Sequence, residues 1–298
     1  MWTMLQSKII DTFPFFLRYW EKAQHLSVDE QIQRWELEYM ALFPELVQKQ
    51  IQDYMDDGYD WRKIAREKVV PFWSERLPAM IQAHDNLLKV CQSAYAQAQE
   101  KLNCTSELTF VIYVGIAIGA GWATTYQDND AILCGLENIA ELGWQDPSRL
   151  KRLMSHEIGH LWHFGLRNRA GYQKMEGPWW SLYTEGIANR CEDILTGEET
   201  GHIFSQQGDW LEWCQRNKSW LAHEFLGTVD KGEKTLAFFA SWYDIRGYKQ
   251  TGYFLGQEAV KQMEGKSTMQ EIALIRNPES VLRPILESFA VGFEASQQ

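Results

Sequence analysis

One uncharged stretch of the sequence, residues 108–127, most constrains the fold, because it separates two regions of helical character. It begins with the run TFVIYV at residues 109–114, whose β-branched and aromatic residues are a strong strand signal. A turn cluster and a short apolar run at residues 131–134 follow it. The pattern predicts two buried strands joined near the glycines of residues 115–119, and a further strand at residues 131–134.

The same stretch is long enough to be considered as a membrane span, and Gly115 and Gly119 have GxxxG spacing. It contains three threonines, however, and its flanks are acidic, with Glu107 before it and Asp128 and Asp130 after it. No positive charge sets an orientation. We therefore expect buried strands and no membrane span.

The remaining sequence predicts helices. Residues 1–100 have helical character, with one helix over residues 31–52 that Pro44 divides and another over residues 78–102. From Asp146 to the end the chain again has helical character, broken near several glycines. We predict an α+β fold that is predominantly helical, in which an N-terminal helical region, residues 1–106, packs on a core of residues 107–298 to form one compact unit.

Composition excludes several classes of protein. The 298 residues carry a formal net charge of -11, which disfavours nucleic-acid binding because phosphates attract a basic surface. The five cysteines are odd in number and lack CxxC spacing, so we expect no disulfide framework. Lys8 and Asp11 interrupt the N-terminal apolar residues, so the pattern is not that of a secretory signal. These features favour a cytoplasmic protein, and they leave the oligomeric state open.

The motif that carries chemistry is His-Glu-Ile-Gly-His at residues 156–160. Asp146 is a suitable helix cap, Pro147 suits the first helical position, and Gly165 is a candidate helix end. On a helix, positions i and i+4 lie about 5–6 Å apart on one face, so both imidazoles can reach one ion. Glu157 can then act on a water at that ion.

A third ligand is expected on the next helix. Glu185 stands in the segment TEGIAN, within a helix that Gly177-Pro178 opens and Gly197 closes. Two histidines and one glutamate form a zinc site that leaves a fourth position for water. Asn189 lies one turn later and is either a partner of a ligating imidazole or a surface polar residue.

Other potential ligands lack the surroundings that distinguish Glu185. The extended pattern with a third histidine is absent, because His163 occupies its glycine position and Leu166 its last histidine position. The alternatives downstream of the motif are His163, Glu176, Glu192, Asp193, His202 and His223.

The two segments HEIGH and TEGIA resemble those of the gluzincin zinc metallopeptidases, and most of all the small bacterial family described as predicted zinc-dependent proteases. The resemblance covers roughly residues 107–262. It implies a zincin-like core, with a sheet whose edge strand lines the cleft, an active-site helix and a glutamate helix. It also implies that His156, His160 and Glu185 bind one zinc ion and that Glu157 is the general base.

Two shorter segments are similar to the M1-type aminopeptidases. Residues 135–138 (GLEN) are similar to their G-x-M-E-N strand, which implies that Glu137 holds a substrate N-terminus. Residues 253–256 (YFLG) are similar to their Y-x-x-G segment, which implies that Tyr253 stabilises the oxyanion; Tyr248 is a second candidate. The methionine is missing here, and 24 residues separate His160 from Glu185, more than is usual in that family. From the residues alone, Glu137 is equally a solvated charge at a strand end, and Tyr253 a core tyrosine.

Three hypotheses follow from these residues. The first is a zinc metallopeptidase acting on a peptide or protein substrate, either as an endopeptidase or as an aminopeptidase. The second is a zinc-binding regulatory or interaction protein without catalysis, in which the N-terminal helices cover the groove. The third is a metal-free helical scaffold, because a pattern with three fixed residues also occurs by chance.

Overall fold

The computed structural model of the chain describes residues 7–56, 58–198, 208–240 and 243–296, with side chains described as far as residue 291. The chain divides into two compact units, residues 1–157 and 158–298, and the division falls inside one continuous helix. It does not fall after residue 106, because residues 8–11 form a strand in the same sheet as residues 109–113.

The first unit contains long helices that are interrupted by irregular turns. Pro44 begins a new helix, as expected, and a π-helical turn at Trp35–Tyr39 precedes it. A second π-helical turn, Ala65–Val69, precedes the longest helix, which begins at Trp73, earlier than expected. The helices are α1 (Phe13–Ala23), α2 (Val28–Arg34), α3 (Pro44–Asp56), α4 (Trp61–Ile64), α5 (Trp73–Leu102) and α6 (Leu136–Glu141).

The first unit also contains a four-stranded mixed sheet. Its strands are β1 (Lys8–Asp11), β2 (Thr109–Tyr113), β3 (Trp122–Tyr126) and β4 (Asn129–Gly135), in the order β1-β2-β4-β3. The pairings β1–β2 and β2–β4 are parallel, and β3–β4 is antiparallel. The strands predicted over residues 108–127 and 131–134 are thus confirmed, but the expectation that both strands of the first stretch are buried holds for β2 and not for β3, most of which is partly exposed. Within the described residues, no helix is long and apolar enough to cross a membrane.

Strand β1 corrects the expectation that residues 1–100 are entirely helical. Its four residues pair with β2 in parallel, with Ile10 opposite Val111. The segment KIID is too short to show a period of two, and its partner lies about a hundred residues away along the chain, so local pattern does not reveal the pairing.

The second unit is helical within its described residues. Helix α7 begins in the first unit at Pro147 and continues through Gly165 to Arg169, so the expected end at Gly165 is wrong. The chain turns instead at Gly171, which has a positive φ of 71°. The helices are α7 (Pro147–Arg169), α8 (Pro178–Thr196), α9 (Trp210–Arg216), α10 (Lys218–Asp230), α11 (Leu236–Phe239), α12 (Thr251–Glu264), α13 (Met269–Ala273) and α14 (Pro278–Ser296). The chain as a whole is α+β and predominantly helical, as predicted.

Candidate metal centre

Helix α7 begins where its sequence signals predict. The Asp146 carboxylate accepts a hydrogen bond from the Arg149 backbone N–H at 3.0 Å, which satisfies one of the unpaired donors of the first turn. Leu150, Leu153 and Ile158 are buried, as is every residue from 152 to 159, so the part of the helix that carries His156 and Glu157 lies in the protein interior.

The structure brings the three expected ligand residues together on α7 and α8. One donor atom each from His156, His160 and Glu185 lies within 4.8 Å of the other two. The Glu185 Oε2 atom is 3.4 Å from His160 Nε2. Two imidazole nitrogens and one carboxylate oxygen form the donor set of a zinc site with an open position. Within the residues described, no other group of three histidine, cysteine or acidic side chains is arranged in this way.

Close contacts at glycines set the distance between α8 and its neighbouring helices. A Cβ atom on Gly159 would lie 2.7 Å from the Cβ of Cys191 and 3.0 Å from the Ala188 Cα. A Cβ on Gly186 would lie 2.9 Å from the Gly256 Cα, on α12. Each pair therefore requires a residue without a side chain. Sequence reasoning missed these contacts, although Gly159, Gly186 and Gly256 all lie inside the motifs it identified.

Glu157 is held by the first unit. It is 5 % exposed, and its carboxylate accepts a hydrogen bond from the Ala123 backbone N–H of β3 at 2.9 Å. A Cβ on Gly121 would lie 2.8 Å from the Glu157 Cγ, so a side chain there would displace the carboxylate. Glu157 follows His156 directly on α7, and β3 supplies the donor that orients it.

Glu137 is not where either sequence interpretation placed it. It lies in the first turn of α6, fully buried, and not in a solvated position at a strand end. Its two carboxylate oxygens accept hydrogen bonds from the backbone N–H groups of Gly115 at 2.8 Å and Ala117 at 3.0 Å. Burial raises the pKa of Glu137 to about 7, although these two hydrogen bonds lower it. The carboxylate that was expected to hold a substrate ammonium group is thus bonded to the protein backbone.

Asn189 and Tyr253 contact each other. The Asn189 side-chain amide donates to the Tyr253 carbonyl at 3.2 Å, which ties α8 to the first turn of α12. Asn189 is buried and is therefore not the surface polar residue of the alternative interpretation. The Tyr253 ring lies 6.1 Å from that of Phe239 and is partly exposed.

Tyr248 lies outside α12, in a turn that is closed by backbone pairing with Ile245. Its hydroxyl donates to the Asp209 carboxylate at 2.9 Å, and this hydrogen bond raises the pKa of the phenol. The ring stacks on Trp213 with 4.1 Å between the centroids. Its described contacts are thus to Ile245, Asp209 and Trp213.

The competing ligands do not join the three donors. His163 is buried against Trp180 and Tyr183, and burial lowers its pKa well below the ordinary value, so the ring is neutral. Asp193 is bonded to Arg190 at 2.9 Å. Glu192 is buried, whereas Glu176 and His223 are exposed, and His202 lies outside the described residues.

Arg167, which sequence reasoning did not identify, also lies on α7. It is buried, and its guanidinium donates to the Ile275 carbonyl at 2.7 Å. The same group lies over the rings of Tyr172 and Trp180, each 4.9 Å from the centroid. Carbonyl and ring contacts together stabilise the buried cation. Hydrophobic periodicity cannot predict the burial of such a residue, because it assigns charged residues to the exposed face of a helix.

Comparison with known proteins gives no significant match to a family model, to a curated protein or to a solved structure. The fold and site define an α+β chain with two histidines and one glutamate gathered on adjacent helices.

Proposed function

We propose that the protein is a zinc-dependent peptidase of the gluzincin type, with His156, His160 and Glu185 as ligands and Glu157 as general base. The observation that carries the proposal is the approach of the three donor atoms to within 4.8 Å of one another, with Glu157 next to the first ligand on the same helix. The donor types match zinc better than calcium or magnesium, which prefer ligand sets made of oxygen.

A bound zinc ion would act as a Lewis acid on the scissile carbonyl and would lower the pKa of a coordinated water toward about 7. Glu157 would take the proton of the attacking water and return it to the leaving amine. Its hydrogen bond from Ala123 leaves the second carboxylate oxygen for this task. Tyr253 is the proposed donor to the oxyanion.

The position of Glu157 beside β3 supports a peptide substrate. β3 is the last strand in the sheet order, so β4 pairs with one of its edges only. The Ala123 N–H donates to Glu157 and therefore points toward the open edge. An extended peptide can add to such an edge through backbone hydrogen bonds. The proposed base then lies along the path of that peptide.

We also infer a cytoplasmic location. None of the five cysteines forms a disulfide, and four of them are buried; cysteines that stay reduced are typical of a reducing compartment. A peptide or protein substrate is the proposed partner.

The test is a peptide-library digest with zinc-loaded protein, comparing the wild type with Glu157→Gln. We expect cleavage by the wild type and a loss of roughly 10²- to 10⁴-fold in kcat in the variant, with one zinc ion per chain in both. Glu176→Gln is the matched control, because it makes the same change at an exposed carboxylate. Full activity of Glu157→Gln would exclude this mechanism. Zinc binding without cleavage by the wild type would instead favour a regulatory or interaction protein.

A further inference from the structure

The Glu137 carboxylate is bonded to the backbone segment that connects β2 to β3, residues 114–121. Its two oxygens accept from alternate N–H groups, those of Gly115 and Ala117, and Ala117 has a positive φ of 66°. The buried carboxylate therefore holds two N–H groups of the connection between β2 and β3 and fixes the beginning of that connection.

Side chains of the N-terminal region also bond to this connection. Side chains of the first π-helical turn and of α3 bond to the backbone of Val114 and Ile116. At Val114, the carbonyl accepts from the Trp35 Nε1 and the N–H donates to the Tyr39 hydroxyl, each at 3.1 Å. At Ile116, the N–H donates to the Gln50 Oε1 at 3.1 Å and the carbonyl accepts from the Tyr54 hydroxyl at 2.7 Å. The N–H groups of four consecutive residues, 114–117, are thus bonded to side chains.

The far end of this connection reaches Glu157. The Ala120 carbonyl accepts from the Gly135 N–H at 3.2 Å, two residues before Glu137. Gly121 then packs against the Glu157 side chain, and Ala123 donates to its carboxylate. Only five residues separate the Ala117 N–H, which Glu137 binds, from the Ala123 N–H, which Glu157 binds.

We propose that Glu137 is a positioning residue for Glu157. It fixes the backbone of residues 114–117, and through the following residues it sets the place of the Ala123 N–H that orients the Glu157 carboxylate. We call these hydrogen bonds to the backbone of residues 114–117, from Glu137 and from the N-terminal side chains, the clamp. The N-terminal side chains supply the bonds to Val114 and Ile116, so their role in the first unit is to hold this connection in place. The inference rests on the proposed function for its catalytic consequence, but its structural part stands on contacts within residues 1–157. Glu137 is fully buried and is not presented to a substrate ammonium group.

The experiment compares the wild type with Glu137→Gln, which keeps the shape but replaces one acceptor oxygen by an amide donor. Hydrogen–deuterium exchange on zinc-loaded protein without substrate is the first measurement. We expect the segment spanning residues 114–123 to exchange roughly 10-fold faster or more in the variant, with peptides from α8 and α12 unchanged and one zinc ion per chain retained. Exchange at the wild-type rate in residues 114–123 would overturn the inference.

Steady-state kinetics on paired peptides with free and with acetylated N-termini is the second measurement. A positioning role predicts the same fall in kcat on both, roughly 10- to 100-fold, with little change in KM. A rise in KM confined to peptides with free N-termini, without faster exchange, would instead identify Glu137 as a substrate-binding residue and overturn the inference.

Two further variants keep the test decisive. Glu107→Gln is the matched control, since its carboxylate is exposed just before β2, and it should leave exchange and kinetics unchanged. If Glu137→Gln fails to fold, Tyr54→Phe removes a single hydroxyl bond from the same connection, and it should accelerate exchange in the same segment to a smaller extent. If the wild type cleaves no peptide, the proposed peptidase function fails, while the exchange rates still decide whether the clamp exists.

Discussion

The two units of the chain position their chemical groups by different means. In residues 1–157, backbone N–H groups from the connection between β2 and β3, and from β3 itself, hold the carboxylates of Glu137 and Glu157. In residues 158–298, contacts at Gly186 and Gly159 fix α8, which carries Glu185, against its neighbours. A hydrogen bond to a carboxylate has a defined direction and responds to charge. A glycine contact responds to volume and is indifferent to pH.

This difference separates two kinds of perturbation. Changes of charge or of hydrogen-bonding capacity should act mainly on the first unit, where an isosteric replacement is enough to disturb the site. Addition of a single methyl group should act mainly on the second unit.

Gly186→Ala should have the largest effect on the unfolding free energy. The new Cβ would collide with the Gly256 backbone of α12, and two helix backbones cannot yield as a flexible side chain can. We expect a loss of stability at or above the upper end of the ~1–3 kcal/mol range of overpacking, together with weaker zinc binding because Glu185 moves. Denaturant unfolding and zinc titration measure both quantities.

Gly227→Ala is the control for that variant, because Gly227 lies inside α10 and a Cβ added there would have no atom within 4 Å. It should stabilise the protein by roughly 0.5–1 kcal/mol through helix propensity. If Gly186→Ala cost less than about 1 kcal/mol and left zinc affinity unchanged, glycine packing would not be what positions Glu185.

The pH dependence of the unfolding free energy should report the protonation of the Glu137 carboxyl group. Burial raises its pKa from 4.5 to about 7, so the folded state favours the protonated form. This contribution to stability is fully present below about pH 4.5 and is lost as the pH rises through about 7. Relative to Glu137→Gln, the unfolding free energy of the wild type should fall by about 2 kcal/mol between pH 5 and 7.

Denaturant unfolding of both proteins across that pH range measures the difference, in which the titration of the other groups cancels. Glu107→Gln, which makes the same change at an exposed carboxylate, is the matched control for this comparison. A constant difference between the wild type and Glu137→Gln would show that the buried acid does not titrate in this range.

Asn189→Ala should have the smallest effect on the unfolding free energy. It removes the hydrogen bond to the Tyr253 carbonyl, which should cost about 1 kcal/mol of stability. Because this bond leads to α12, we expect the peptidase kcat to fall and zinc affinity to change by less than about 10-fold. A loss of roughly 10- to 100-fold in zinc affinity would instead make Asn189 a partner of a ligating imidazole. Unfolding, zinc titration and kinetics on one preparation distinguish the two.

Sequence reasoning predicted the elements whose signals are local. The strands over residues 108–127 and 131–134, the cap at Asp146 and the glycines that bound α8 depend on neighbouring residues, and the structure confirms them. The helical spacing of His156 and His160 follows in the same way. Helical spacing alone does not predict that Glu185 lies near the two histidines, because 24 residues separate it from His160. That prediction also relied on the segment TEGIA.

Most of the missed features depend on partners that are distant in sequence. β1 pairs with residues about a hundred positions away. Glu137 was interpreted from its motif as facing a substrate, but its partners lie 20 and 22 residues earlier in the chain. Gly165 is an exception: it was expected to end α7, yet the helix continues to Arg169, since a helix interior tolerates one glycine at a cost of about 1 kcal/mol.

The zinc content of purified protein, after loading and removal of free metal, decides whether the three side chains form a metal site. We expect one zinc ion per chain in the wild type, its loss in His160→Ala and in Glu185→Gln, and its retention in His223→Ala, whose side chain is exposed. A wild type that binds no zinc, or a His160→Ala variant that retains a full equivalent, would exclude the proposed site.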